Sequence, residues 1–202
     1  MMIDHLLVLE GEVVRLEPLH PTHIPALMAI ATATPDAFRY TSTPVTDAQR
    51  DAYFERAFRE RDQNVAYPFA VFYKPTGALI GSTRFADLNW KYRNCELGFT
   101  WFAPGYQGTA VNPESKYLLL RYAFETLRFV RVQIHTHVAN VQSQRAIRKL
   151  GAVYEGVLRN HMFTKDGEVR DTMVFSVIDS DWPEVKALLE SRLEGLRSGE
   201  TS

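Results

Sequence analysis

The chain predicts an α+β fold, with a mixed, mostly antiparallel central sheet of about seven strands covered by helices on both faces. Three observations carry this. The middle of the chain, 67–102, alternates in side-chain character with period two and is broken by short turns, as a meander of hairpins is. Helical patterns flank that meander, which does not fit an all-parallel doubly wound sheet. No repeat or linker divides the 202 residues, so a single domain, 1–202, is expected.

The elements follow in order. Residues 12–19, EVVRLEPL, alternate like a half-buried strand, and Pro18 and Pro21 end it. Thr22 opens a short helix with Leu27 and Ile30 on one face, and a Thr/Pro-rich connection runs from Thr32 to Pro44. Thr46 and Asp47 cap a second helix to about Gln63, with Tyr53, Phe54 and Phe58 inward. Strands at 67–74, 78–87 and 94–102 form the meander, with Pro75-Thr76-Gly77 as the first turn. A long helix then runs to about Leu127, followed by a strand at 131–138 and a helix from Asn140 to Leu150, ended by Gly151. Two strands near 152–163 and 169–178 join through Lys165-Asp166-Gly167. A last helix starts at Asp179–Trp182 and runs to about Leu193, and the tail, about 196–202, is expected to be disordered.

Composition narrows the function classes. A formal net charge of −1 without long runs of one sign argues against a direct nucleic-acid binder that relies on bulk electrostatics. Cys95 is the one cysteine, so no intramolecular disulfide can form and a reducing, cytoplasmic setting fits. The opening MMIDHLLVLEG lacks the basic start and long apolar run of a secretory signal, and no stretch approaches the ~20 apolar residues of a spanning helix.

The most informative stretch is Phe99 to Leu127, FTWFAPGYQGTAVNPESKYLLLRYAFETL. It reads as a strand end, a glycine-bearing loop and an amphipathic helix, with Asn112 as N-cap and Pro113 at the first helical position. Gly108 and Ala110 carry almost no side chain, so the amides of residues 108–112 can approach a ligand closely. Free amides at the positive end of a helix favour a phosphate or pyrophosphate. The alternative is a strand-to-helix turn without a ligand.

On these residues the chain resembles the GNAT superfamily of N-acetyltransferases, in its RimJ/RimL-like branch that acetylates protein N-termini. The resemblance runs from VVRLEPL at 13–19 to the final helix, and is most specific in QGTAVNPESK at 107–116 and in N-x-x-S with KLGAVYEGVLR at 140–159. It implies the GNAT (acyl-CoA N-acyltransferase) fold, with acetyl-CoA as co-substrate and its pyrophosphate held by backbone amides. The implied cofactor-binding residues are Trp101, Phe102, Gln107, Gly108, Thr109, Ala110, Val111, Asn112, Asn140, Ser143 and Arg145. One departure stands out. The family's loop has Gln or Arg three positions before its central glycine, where this chain has Gly105, while Gln107 directly precedes Gly108.

Acetyl transfer requires that the acceptor amine lose a proton, that the oxyanion be stabilised and that the leaving thiolate be protonated or held. An α-amine with pKa about 8 is roughly a tenth neutral at pH 7, whereas a lysine near 10.4 is neutral only about once in 2,500. An N-terminal acceptor therefore demands less of a base. Glu96 is the first candidate base. By strict alternation it shares a face with Gly98 and Thr100, opposite Cys95, Leu97 and Phe99, and desolvation in an apolar strand would raise its pKa. The competing role is an exposed carboxylate paired with Arg93 or with a neighbouring strand. Glu155 is the rival base or a substrate-binding residue. Ser143, one turn into the helix begun by Asn140, is the candidate for handling the thiolate, or else is part of a capping arrangement. Trp90, Tyr92 and Trp101 are candidates to line the acceptor cleft, or else are core or edge aromatics of the meander. Arg145, Arg148 and Lys149 could meet the 3′-phosphate or simply form a solvated helix face.

His135 and His137 share a strand face at metal-ligand spacing, yet no acidic or Cys partner completes a site, and no metal is expected. Cys95 is read as a buried, inert thiol. The expected activity is direct acetyl transfer in a ternary complex to a primary amine, with a protein N-terminal α-amine as one acceptor. The alternatives are a small-molecule acetyltransferase, favoured if Asp87, Glu96 and Glu155 make an acidic cleft, and a non-catalytic acyl-CoA-binding module. The expected partners are the amine acceptor and either no second subunit or one identical copy, with no membrane.

Overall fold

The computed structural model describes residues 3–198. Among these, eight strands and five α-helices follow one another along the chain: β1 (Leu9–Glu10), β2 (Val14–Pro18), α1 (Ile24–Ala33), α2 (Asp47–Asp62), β3 (Tyr67–Tyr73), β4 (Ala78–Asn89), β5 (Asn94–Phe102), α3 (Val111–Arg121), β6 (Arg131–His137), α4 (Val141–Lys149), β7 (Val153–Phe163), β8 (Val169–Ile178) and α5 (Trp182–Ser198). The strands form one sheet in the order β1-β2-β3-β4-β5-β6-β8-β7. Every neighbouring pair is antiparallel except β5 and β6.

That parallel pair decides the shape of the molecule. β5 and β6 are in register only at Asn94–Arg131, Cys95–Val132 and Glu96–Gln133. Beyond Glu96 the two strands part, and Leu97–Phe102, paired with β4 on one edge, faces an opening in the sheet on the other. The cause is visible in β5, where Arg84 of β4 pairs with Gly98 and Ser82 with Trp101, so two residues of β5 oppose one of β4. Phe99 sits at this bulge with φ +52°, a conformation that costs a non-glycine residue of order 1–3 kcal/mol unless its surroundings hold it. They do: the buried Arg84 guanidinium lies 4.2 Å from the Phe99 ring centroid and also faces Tyr53, with Glu60 3.4 Å away.

The bulge also corrects the face assignment. Strict alternation would put Thr100 beside Glu96 and Phe99 beside Leu97. Instead Phe99 and Trp101 pack with the α1 and α2 side, while Thr100 bonds to Lys116 of α3 on the other. A bulge adds one residue and so flips every later side chain.

Helices cover both faces. Leu27, Phe38, Tyr53, Phe54 and Trp101 make one core with α1 and α2. Leu97, Leu118, Leu119, Phe175, Val185 and Leu189 belong to the other, with α3 and α5. Each such fully buried side chain contributes about 1.5–3 kcal/mol. Thr46 caps α2 by accepting from the Gln49 amide, and Asn140 caps α4 by accepting from the Ser143 amide. Three expectations change. The short β1 raises the strand number to eight. The last helix continues to Ser198, so residues 196–198 are helical and not a disordered tail, the helix carrying on past Gly195 although glycine is a poor helix former; residues 199–202 lie outside the described part. Asn112 is not the N-cap of α3: the cap is Ala110, without a side-chain hydrogen bond, and Asn112 lies inside the first turn.

Candidate active site

The parting of β5 and β6 opens a cleft of about 610 Å³. Its walls come from the connection 36–43, the second half of β5, the loop into α3, β6, the first turns of α4 and the tip of β7.

At one end lies the loop into α3. Gly108 has φ +76°, and a Cβ built there would meet nothing within 4 Å, so the space above its backbone is open. The amides of Gly108, Thr109 and Ala110 have no hydrogen-bond partner among the described residues. A helix N-terminus lacking a side-chain cap leaves its donors for a ligand. The residues therefore fit an anionic group such as a pyrophosphate. Gln107 and Asn112 line the cleft, with Gln107 Oε1 accepting from Gln142 at 3.2 Å. Thr109 donates to the Tyr106 carbonyl, and Val111 is a core side chain.

Across the cleft, Ser143 lines the wall from α4, and Asn140, also in the wall, spends its side-chain oxygen on the Ser143 amide at 3.0 Å. Arg145 is exposed on α4 and is not part of the wall. Arg148 stacks over Tyr154 and Phe175. Trp101 and Phe102 line the cleft as strand residues, but their side chains are 4% and 5% exposed and belong to the two cores.

At the other end is Glu96. Its Oε2 lies 2.8 Å from His135 Nδ1 of β6, off the line of a hydrogen bond, and both side chains are largely buried. Gly98 makes room for this carboxylate, since a Cβ there would come within 2.4 Å of Glu96 Oε1. Asp87, Arg56, Arg170 and His135 complete this end. Burial, and then the neighbouring Glu96, push the Asp87 carboxyl up. Burial lowers Arg170, with Glu96 opposing. His137 faces Tyr40, and its Nδ1 accepts from the Ala139 amide.

Like Arg145, three further sequence candidates lie away from the cleft. Trp90 donates to the Asn64 carbonyl and packs on Phe129, and Tyr92 is 62% exposed. Glu155 is bound by both guanidinium nitrogens of Arg131 and by Ser176, which holds its carboxyl down at about 2. A carboxylate so engaged is a poor base. Sequence reasoning missed Lys116, which lines the cleft from α3, and His135 as the neighbour of Glu96. Lys116 could have been noticed as a lone cation on the apolar side of an amphipathic helix.

The open amides, the split strands and the buried carboxylate together define the class: the fold is that of the acyl-CoA N-acyltransferases. The chain belongs to the Acetyltransferase (GNAT) domain family, whose match spans residues 14–153. It is similar to the uncharacterized N-acetyltransferase YoaA of Bacillus subtilis (strain 168), 32% identical over 106 residues that cover 52% of this chain and 58% of that protein. The chain spans rather more than half the length of the first curated relatives it matches. Among solved structures it is similar to a GCN5-related N-acetyltransferase from Brucella melitensis, with 29% identity, TM-score 0.83, and coverage of 94% of this chain and 86% of that one. Mycobacterium smegmatis RimJ in complex with CoA-disulfide, 17% identical with TM-score 0.76 and coverage of 92% and 91%, shares the fold.

Proposed function

We propose that this protein is an acetyl-CoA-dependent N-acetyltransferase that transfers the acetyl group directly to a primary amine, with a protein N-terminal α-amine as its acceptor. The observation that carries the reading is the cleft itself, which links open amides at Gly108 to the Glu96 carboxylate through the unpaired edge of β5. Acetyl-CoA supplies an activated thioester. The chain's residues do the rest. The amides of 108–110 grip the diphosphate, and the edge of Leu97–Phe102 that faces away from β4 offers strand-like hydrogen bonds to an extended arm. Ser143 faces the same space from α4. Glu96 takes the proton of the acceptor, directly or through water, while His135 fixes its position. The amine nitrogen then bonds to the acyl carbon, the C–S bond breaks and the electron pair stays on sulfur.

Cys95 is not part of this scheme, being 1% exposed and pushed up by burial. A polyamine acceptor fits less well. The carboxylates in the wall, Asp36, Asp87 and Glu96, face Arg39, Arg56, Lys116, Arg170 and Arg192, so no acidic field awaits a polycation. An N-terminal acceptor also suits a weak base, because its pKa lies about 2.4 units below that of lysine. A cytoplasmic setting accompanies the reading, and no described helix is long and apolar enough to cross a membrane.

The test is thiol release from acetyl-CoA with N-terminal peptides, free amino acids, polyamines and aminoglycosides. Turnover confined to peptides supports the proposal. Preference for polyamines reverses the acceptor class. Acetyl-CoA binding without thiol release would mean a non-catalytic binding module.

A further inference from the structure

Lys116 is a buried cation in the cleft wall that no carboxylate pairs with among the described residues. It projects from the second turn of α3 into the core side of the sheet and is only 7% exposed. A lysine buried to this degree is ordinarily met by a carboxylate. Here the one hydrogen bond is from Nζ to Thr100 Oγ1, at 2.6 Å, and Thr100 in turn shares its hydroxyl with Thr83 at 2.8 Å. An ammonium has three donors, so this accounts for one of them. No salt bridge to Lys116 is present among the described residues.

Its neighbours on α3 are accounted for. Glu114 accepts from the amides of Glu12, Val13 and Val14, and Ser115 donates to the Val111 carbonyl within its own helix. Lys116 turns its spare donors to the cleft. Thr100, its anchor, lies directly after the bulge, on the β5 edge that β6 leaves unpaired. The charged groups around it are few. Glu96 of β5 acts on it through its field, and His135 of β6, Arg170 of β8 and Arg192 of α5 line the same cleft. Burial brings the amine down to about 7, with Glu96 opposing, and a negative sulfur beside it would act in the same direction as Glu96 and hold the proton on nitrogen.

We propose that Lys116 is a further catalytic residue: its ammonium, tethered to Thr100 in the cleft wall, holds its remaining donors against the thioester end of the acyl carrier and stabilises the sulfur as it departs. The inference rests on the acetyl-transfer reading above. In that step the C–N bond forms, the C–S bond breaks and the negative sulfur appears beside a positive nitrogen. The proton shed by the acceptor passes to Glu96 or water, and coenzyme A leaves as the thiol after taking one up.

The decisive measurement needs no turnover. Coenzyme A bound to the protein is titrated by its thiolate ultraviolet absorbance, in wild type and in Lys116→Met, with Lys116→Gln as a second variant should the first fail to fold. An ammonium near the sulfur lowers the bound thiol by about one pH unit relative to either variant. Equal titration in wild type and variant overturns the proposal. Turnover is then compared: kcat falls about a hundredfold in Lys116→Met with the KM for acetyl-CoA little changed, while the Tm holds or rises because an unpaired buried amine is gone. A parallel loss of Tm and kcat would mean a structural lysine and overturn the proposal. If the bound thiol shifts but no amine is acetylated, the transfer reading fails and the Lys116 contact stands. If amines are acetylated equally well by both proteins, the Lys116 proposal alone fails.

Discussion

At the scale of single residues, Glu96 lies beside the imidazole of His135 and in the space that Gly98, having no side chain, leaves open. Glu96→Gln keeps the shape and removes the proposed base. It is expected to lower kcat by about 10²–10⁴ with little effect on acetyl-CoA affinity, measured by steady-state kinetics beside calorimetry. An unchanged rate would remove Glu96 from the mechanism. Gly98→Ala should act in the same direction more weakly, because the new methyl displaces the carboxylate rather than deleting it. Glu155 behaves differently. Its folded pKa lies below the unfolded value, so its contribution is present above roughly pH 4 and is lost as pH falls toward about 2. The pair with Arg131 is partly exposed, so Glu155→Gln should cost only about 0.2–1 kcal/mol at pH 7, and wild type and variant should converge in acid unfolding near pH 2.

At the scale of elements, α3 carries two kinds of order. Its polar residues Glu114, Ser115 and Lys116 are buried, against the usual pattern for a helix interior face. Glu114 is the strap that ties β1 and β2 to α3, and Gly11 stays small because a Cβ there would strike the Glu114 carboxylate at 2.5 Å. Glu114→Leu leaves three amides without this acceptor and should cost about 3 kcal/mol or more. For a chain of this size that means a Tm lower by about 6–12 °C in a thermal scan. A change of less than about 2 °C would show that water replaces the carboxylate without loss. The start of α3 has the opposite character, being uncapped. Its exposed donors are a local deficit that a bound diphosphate would fill.

At the scale of the molecule, the site exists because one parallel pair in an otherwise antiparallel sheet stops after three residue pairs. Ligand seated there would bridge two halves of the sheet that the chain itself leaves apart. Acetyl-CoA at about 100 times its Kd should therefore stabilise the fold by about 2.7 kcal/mol, seen as a Tm higher by several degrees. Gly108→Val should lose most of that shift, since a branched side chain fills the open space above the loop and strains a left-handed φ. An undiminished shift in this variant would move the diphosphate away from Gly108.

Much of this was legible in the residues alone. Period-two alternation, the Thr46 and Asn140 caps and the turn at Gly77 depend on neighbours a few positions away, and local physics marks them reliably. The small side chains at Gly108 and Ala110 likewise advertised an open loop. Other features depended on distant partners. The Phe99 bulge is stabilised by Arg84 stacking, so counting alternate residues past it put Phe99 and Thr100 on the wrong faces. Trp90, Tyr92 and Glu155 had suitable chemistry but were claimed by Asn64, solvent and Arg131. By itself, then, the sequence determined the fold class, the elements and the loop that can hold an anion, because each follows from short-range pattern. Only the tertiary structure decided which carboxylate meets the cleft, which cation lies beneath it and where the sheet splits, because those are contests between groups far apart in the chain and near in space.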